Sequence, residues 1–152
     1  MSNNNSVENS DLNKTKPDED DNKKFINKFL KLCVITELYS RQTHWNTKHF
    51  STHKATDEFI SSLLNLQDTF VEAYAGHYGI RPNIDNLNID DEVINKYIYS
   101  DSDDIIKKYT LFKKAIEKLC ENKSEKLPSQ LSNIKDELIS AFDKLLYLLT
   151  LN

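Results

Sequence analysis

Residues 38–63 read LYSRQTHWNTKHFSTHKATDEFISSL, and the fold depends on how this stretch is divided. Upstream, Phe25, Ile26, Phe29, Leu30, Cys33, Val34, Leu38 and Tyr39 recur at helical intervals, which predicts a helix from Asn22 to about Lys48 with no Gly or Pro inside it. Downstream, Phe59, Leu63, Leu66, Phe70, Val71 and Tyr74 form a second stripe, capped by Ser51 or Thr52 and ended by Gly76 and Gly79. A connection of about four residues between two such helices makes an antiparallel hairpin.

Working outward, IRPNIDNLNIDDEVINKYIYS (80–100) is a polar connection with one short helix expected near Glu92 to Tyr99, long enough to cross the end of a bundle or run along its side. SDSDD (100–104) then supplies an N-cap and a negative first turn. Ile105, Ile106, Tyr109, Phe112, Ala115, Ile116 and Leu119 form the stripe of a third long helix, with its lysines mainly on the other face. After the turn NKSEKLPSQ, Pro128 lies near the start of a fourth, which presents Leu131, Ile134, Leu138, Phe142, Leu145, Leu146 and Leu149. Four long helices with a long middle connection and short outer ones predict an all-α, ferritin-like four-helix bundle. There is no internal repeat, no Gly-rich phosphate loop and no nucleophile elbow.

At 152 residues the chain suits one domain, expected over 22–152. Residues 1–21 hold only Met1, Val7 and Leu12 as apolar residues and are expected to be a disordered tail. Through residue 24 that segment sets Glu8, Asp11, Asp18, Glu19, Asp20 and Asp21 against Lys14, Lys16, Lys23 and Lys24, a solubilising arm rather than a DNA-binding one. The net charge of -4 gives no general attraction to nucleic acid or anionic lipid. No apolar run of about 18 residues and no leader is visible, so the expected location is intracellular: the cytoplasm, or a host cytoplasm or virion if the source is viral. Cys33 and Cys120, far apart and without a CxxC partner, read as buried free thiols.

The chemistry-bearing residues gather around the hairpin. His44 and His53 flank the same turn, so an antiparallel hairpin brings both imidazoles to one end of the bundle. Asp57 and Glu58 lie in the first turns of the second helix. Asp68 and Glu72, four residues apart, share a face and can grip one cation together. Yet Asp68 is fifteen residues beyond His53, about 22 Å along a helix, so no one metal ion bridges them within a chain. A second copy of that helix, antiparallel about a two-fold axis, sets His53 of one chain against Asp68 of the other and creates two equivalent sites per dimer. In the alternative, His44 and His53 hydrogen-bond the hairpin, Trp45 packs on the bundle, and the acids are solvated surface. His49, in the loop, and His77, at the helix end, are expected to be exposed.

HWNTKHFSTH (44–53) followed by DTFVE (68–72) resembles the signature of the miniferritins, the Dps proteins. In that family a His-Trp pair ends the first helix, a second His opens the next, and an Asp-x-x-x-Glu follows. The resemblance implies Fe(II) binding and oxidation at the two-fold interface, by His44 and His53 of one subunit and Asp68 and Glu72 of its mate. Trp45 matches the tryptophan beside the site, and Asp57 a frequent auxiliary acid. GIRP (79–82) also resembles the family's Gly-Arg-Pro, with Ile80 inserted. The likeness covers about residues 25–82; over the last two helices it is architectural only. The turn is shorter than the family's and lacks its Gly-Pro-like sequence, the tail is not a lysine-rich DNA arm, and no ExxH serves an intra-subunit di-iron site. HWNTKHFSTHKATDEF and DTFVEAYAGHYG look closer still to an uncharacterised family of large DNA viruses and phages with an HWQTK…HKA…D-x-x-x-E-x-Y-x-G pattern.

The functional expectation is thus a Dps-like iron-binding protein, a ferroxidase-type oxidoreductase if the site turns over, with zinc, manganese or cobalt as competing metals. Its expected partner is itself, as a two-fold dimer or a larger shell. The rivals are a non-catalytic helical interaction protein and a structural metal stapling the dimer.

Overall fold

No glycine interrupts the chain from Pro17 to Asn46, and α1 occupies that whole span (Pro17–Asn46). The computed structural model describes residues 17–99 and 104–151. It continues with α2 (Phe50–Tyr78), a 3-10 turn (Ile84–Asn86), α3 (Asp91–Tyr97), α4 (Ile105–Glu121) and α5 (Ser129–Leu149). The chain is all-α: five α-helices and no strand are present among the described residues.

The helix ends show which local signals prevail. α1 begins ahead of the expected Asn22: proline is well tolerated in a first turn, and the pairs Glu19–Lys23 and Asp20–Lys24 support the added turns at i,i+4 spacing. Of the disordered tail expected over residues 1–21, residues 17–21 are instead the start of α1, and residues 1–16 lie outside the described residues. α2 starts at Phe50, ahead of the caps expected at Ser51 or Thr52, and its N-cap His49 makes no side-chain cap bond. Gly76 lies inside α2, so only Gly79 ends it, at φ 66°, where an L side chain costs roughly 1 kcal/mol. Asp104 caps α4, its carboxylate accepting from the backbone N–H of Ile106 and Lys107; residues 100–103, expected to share in that cap, lie outside the described residues.

Side-chain contacts give the helix directions. Phe25 stacks on Tyr74 and Phe29 on Phe70, while His44 meets His53 at the other end, so α1 and α2 are antiparallel. Tyr39 packs on Tyr109 and Phe112, and Phe25 lies near Lys123, so α1 and α4 are antiparallel as well. Phe59 packs edge-on against Phe142 at 4.9 Å, and α5 contacts both α2 and α4. The long helices therefore neighbour one another in the cyclic order α1–α2–α5–α4, with α1 and α2 opposed and α4 running parallel to α2. Because α2 ends and α4 begins at opposite ends of the molecule, residues 79–99, the described part of the connection, must travel most of its length. They do so along α1 and α4: Lys31 Nζ donates to the Asn88 carbonyl at 3.1 Å, and Lys108 Nζ to the Tyr97 carbonyl at 3.0 Å. Lys108 is buried, an exception to the solvent-facing lysines expected on this helix.

The core is largely aromatic. Phe29, Phe70, Tyr74, Tyr109 and Phe142 are fully buried, and each removes enough apolar surface to contribute about 2–3 kcal/mol. Tyr74 satisfies its hydroxyl by donating to Asn22 Oδ1 at 2.8 Å, a bond between α2 and the first turns of α1.

Both cysteines are unpaired thiols, Cys33 buried and Cys120 partly so. Burial raises both: Cys120 is pushed from 9.0 up to about 11, and Cys33 higher still. Burial also raises Tyr74 and Tyr109 above their ordinary 10.0. Folding therefore holds protons that the unfolded chain releases above about pH 9, so the stability these four groups contribute is fully present below pH 9 and is lost as pH rises towards 11. Thermal unfolding followed by circular dichroism is expected to show a Tm that declines as pH rises above about 9. The decline should be shallower in a Cys33→Ala, Cys120→Ala variant, and a Tm that rises from pH 9 to 11 would contradict this assignment.

Candidate functional site

Only residues 47–49 separate α1 from α2. The turn is closed by backbone and Thr hydroxyl: the Thr47 N–H donates to the Thr43 carbonyl at 3.0 Å, and the His49 N–H to Thr47 Oγ1 at 3.2 Å. This tightness places the last turn of α1 beside the first turn of α2, and His44 and His53 face each other across the gap.

The two imidazoles stack with centroids 3.8 Å apart and planes 22° from parallel. His44 Nδ1 lies 3.0 Å from the His53 carbonyl, and His53 Nδ1 lies 3.0 Å from the His44 carbonyl. A carbonyl oxygen only accepts, so each Nδ1 carries the proton and donates it. The exchange is reciprocal: each residue gives its ring N–H to the other's backbone. Thr56 completes the arrangement, its Oγ1 3.3 Å from His44 Nδ1 while its hydroxyl is shared between the Thr52 and His53 carbonyls at 2.8 and 3.1 Å. With Nδ1 committed on both rings, Nε2 is the nitrogen left with a lone pair in the neutral form. Histidines that bind metal are oriented by this same kind of second bond.

The hydrogen-bonding role weighed from sequence is therefore present, and it also readies both rings as Nε2 donors. Thr56 was not legible as part of the site; its only signal is its place three residues after His53, on the inward side of α2. Trp45 does not pack on the core, as its alternative role requires, but is 71% exposed. The last turn of α1 points it outward beside the pair. His49 and His77 are exposed as expected; His77 meets the edge of Tyr78 at 4.6 Å.

Asp57, Asp68 and Glu72 are all exposed on α2. At 100° per residue they fall with His53 in a sector about 100° wide, and Phe50 and Leu64, both exposed, fall in it too. α2 is continuous from Phe50 to Tyr78, so the rise of about 22 Å between His53 and Asp68 stands. Among the described residues of a single chain, no three His, Cys, Asp or Glu side chains converge on one point. The histidines are thus brought together with each other, and the carboxylates are not brought to them.

No described helix is long and apolar enough to cross a membrane. Residues 44–149 match DUF5856, a family of unknown function, and the chain belongs to it. Over 51 residues it is 37% identical to a protein of Enterobacteria phage T4, an "Uncharacterized 14.6 kDa protein in mobD-ri intergenic region". That stretch is 34% of this chain and 40% of the phage protein, so the chain spans less than half of that relative's length. The relative agrees with the phage side of the second resemblance. No solved structure matches.

Long-range 1H–15N correlation spectra of the neutral protein are expected to show His44 and His53 as Nδ1–H tautomers, with His49 and His77 in the Nε2–H form that dominates free imidazoles. Nε2–H signatures at His44 and His53 would remove the basis for the lock. His44→Ala, which deletes one arm of it, is expected to cost about 1 kcal/mol in urea unfolding.

Proposed function

We propose that this member of DUF5856 is a non-catalytic helical interaction protein that pairs with a second copy through the outer face of α2, and that the His44–His53 pair is half of a metal site completed by that copy. The observation that carries the reading is the reciprocal lock, which presents two oriented Nε2 atoms beside an outer face rather than inside the core. Phe50, 77% exposed, and Leu64 share that face with the acids, and a stripe combining apolar side chains with ligands suits burial against its own copy. A two-fold axis that sets His53 against Asp68 of the second copy passes beside Ile60 and Ser61. Imidazole nitrogen with Asp68 and Glu72 oxygen is a donor set for Fe(II), Zn, Mn or Co, with Asp57 as an auxiliary acid.

A second reading is the Dps-like one, in which Fe(II) is a substrate oxidised at the same interface. The helix order α1–α2–α5–α4 with its lengthwise crossover supports it, since that is the expected ferritin-like connectivity. Here Asp68 and Glu72 favour the ferric ion, and Trp45 is an accessory beside the site. A mineral core would further require a closed shell.

Native mass and metal content of the purified protein, followed by aerobic Fe(II) addition, separate the readings. The proposal expects a dimer whose bound metal is lost in His53→Ala and in Asp68→Ala, without ferric absorbance. Ferric absorbance that both substitutions abolish would establish the Dps-like reading instead. A metal-free monomer would sink both.

A further inference from the structure

Away from the α2 face, the crossover leaves a groove of about 540 Å³ between α1, α3 and α4. The α3 backbone stands off both long helices while Val93 and Tyr97 reach down to the core, and a groove stays open beside them. The groove is polarised along its length. α1 and α4 are antiparallel, which sets Lys28 and Lys31 of α1 level with Lys118 and Asn122 of α4 at one end. Ile35, Ala115 and Tyr97 line the other end, with Leu32 and Val93 between. Tyr97 is anchored there by the buried Lys108, which holds its carbonyl, and by Phe112, whose ring it faces at 6.4 Å. Lys96 stands on the rim with its ammonium 5.3 Å from the Tyr97 ring centre.

Four lysines thus line this groove against one acid, Glu92, in a chain whose net charge is -4. Lys28 and Lys118 make no ion pair among the described residues, and Lys31 donates to a backbone carbonyl rather than to a carboxylate. A second cavity of about 330 Å³ adjoins the basic end, sharing Lys28, Leu119 and Asn122. An apolar trough of this size with three of its four lysines at one end has the form of a small-molecule site, and the sign of the charge selects an anion.

We propose that this groove binds an anionic amphiphile of the fatty-acid class, its carboxylate among Lys28, Lys31 and Lys118 and its alkyl chain over Leu32, Ile35 and Ala115 beneath α3. The proposal is independent of the α2 site.

The test is calorimetric titration of the full chain with dodecanoate below its micelle concentration, with backbone amide shifts mapped in parallel. Saturable binding, one per chain, is expected, with shifts confined to α1, α3 and α4. Lys28→Glu with Lys118→Glu is expected to weaken it about tenfold or more by reversing charge at the head. Ala115→Trp should do the same by filling the trough, and Lys54→Glu on α2 should change nothing. Both lysines of the double variant are exposed, so it keeps the test decisive if Ala115→Trp proves unfolded by circular dichroism. Equal binding of dodecyltrimethylammonium would overturn the proposal, as would unchanged affinity in the double variant. Inorganic phosphate binding as well as dodecanoate would show that no tail is read. Shifts centred on Phe50 and Leu64, or binding of an acidic amphipathic peptide without dodecanoate, would assign the ligand elsewhere or to another class.

Discussion

Three residues between α1 and α2 impose the constraint from which the rest follows. A turn that short leaves no freedom of direction, so α2 returns along α1 and the aromatic residues of the two helices meet in register: Phe29 on Phe70 at 4.2 Å, Phe25 on Tyr74 at 5.2 Å. The same turn sets His44 against His53. Magnitudes divide the labour between these contacts. Each buried aromatic contributes about 2–3 kcal/mol, whereas a ring N–H to a carbonyl contributes about 1 kcal/mol net. The aromatic stack holds the hairpin; the imidazole exchange chiefly orients two rings.

From the hairpin the second constraint follows. With α4 parallel to α2, the chain must cross from one end of the molecule to the other before α4 can begin. That crossover lies on α1 and α4, tied down by Lys31 and Lys108. α3 consequently bridges two helices without filling the space between them. The molecule therefore has two unlike surfaces: an α2 face of histidine, acids and exposed apolar side chains, and a lysine-lined groove on the opposite side of α1. A net charge of -4 describes neither, because binding responds to the local field rather than to the sum.

Much of this was legible in the residues, for reasons that can be located. The apolar stripes of all four long helices, the short helix of the crossover and the cap at Asp104 are local signals, set by spacing and by one side chain meeting its own backbone. Local readings went astray where two of them competed. Gly76 reads as a stop, but the helical neighbours on either side carry the chain through it to Gly79, which alone adopts a positive φ. Ser51 and Thr52 read as caps, but the three-residue turn starts α2 at Phe50. Of the two roles weighed for Trp45, the packing one fails, because the register of α1 near its end turns the ring outward.

The sequence by itself determined the helices, their order, the short turn, and the fact that His53 and Asp68 lie too far apart along one helix to share an ion. These rest on periodicity, breakers and the fixed rise of an α-helix. Only the tertiary structure decided that His44 and His53 exchange hydrogen bonds through Nδ1, that Thr56 joins them, and that lysines from three helices line one groove. Each depends on which side chains face one another across separate helices, and that is set by helix rotation and packing of the whole core, quantities no single segment contains.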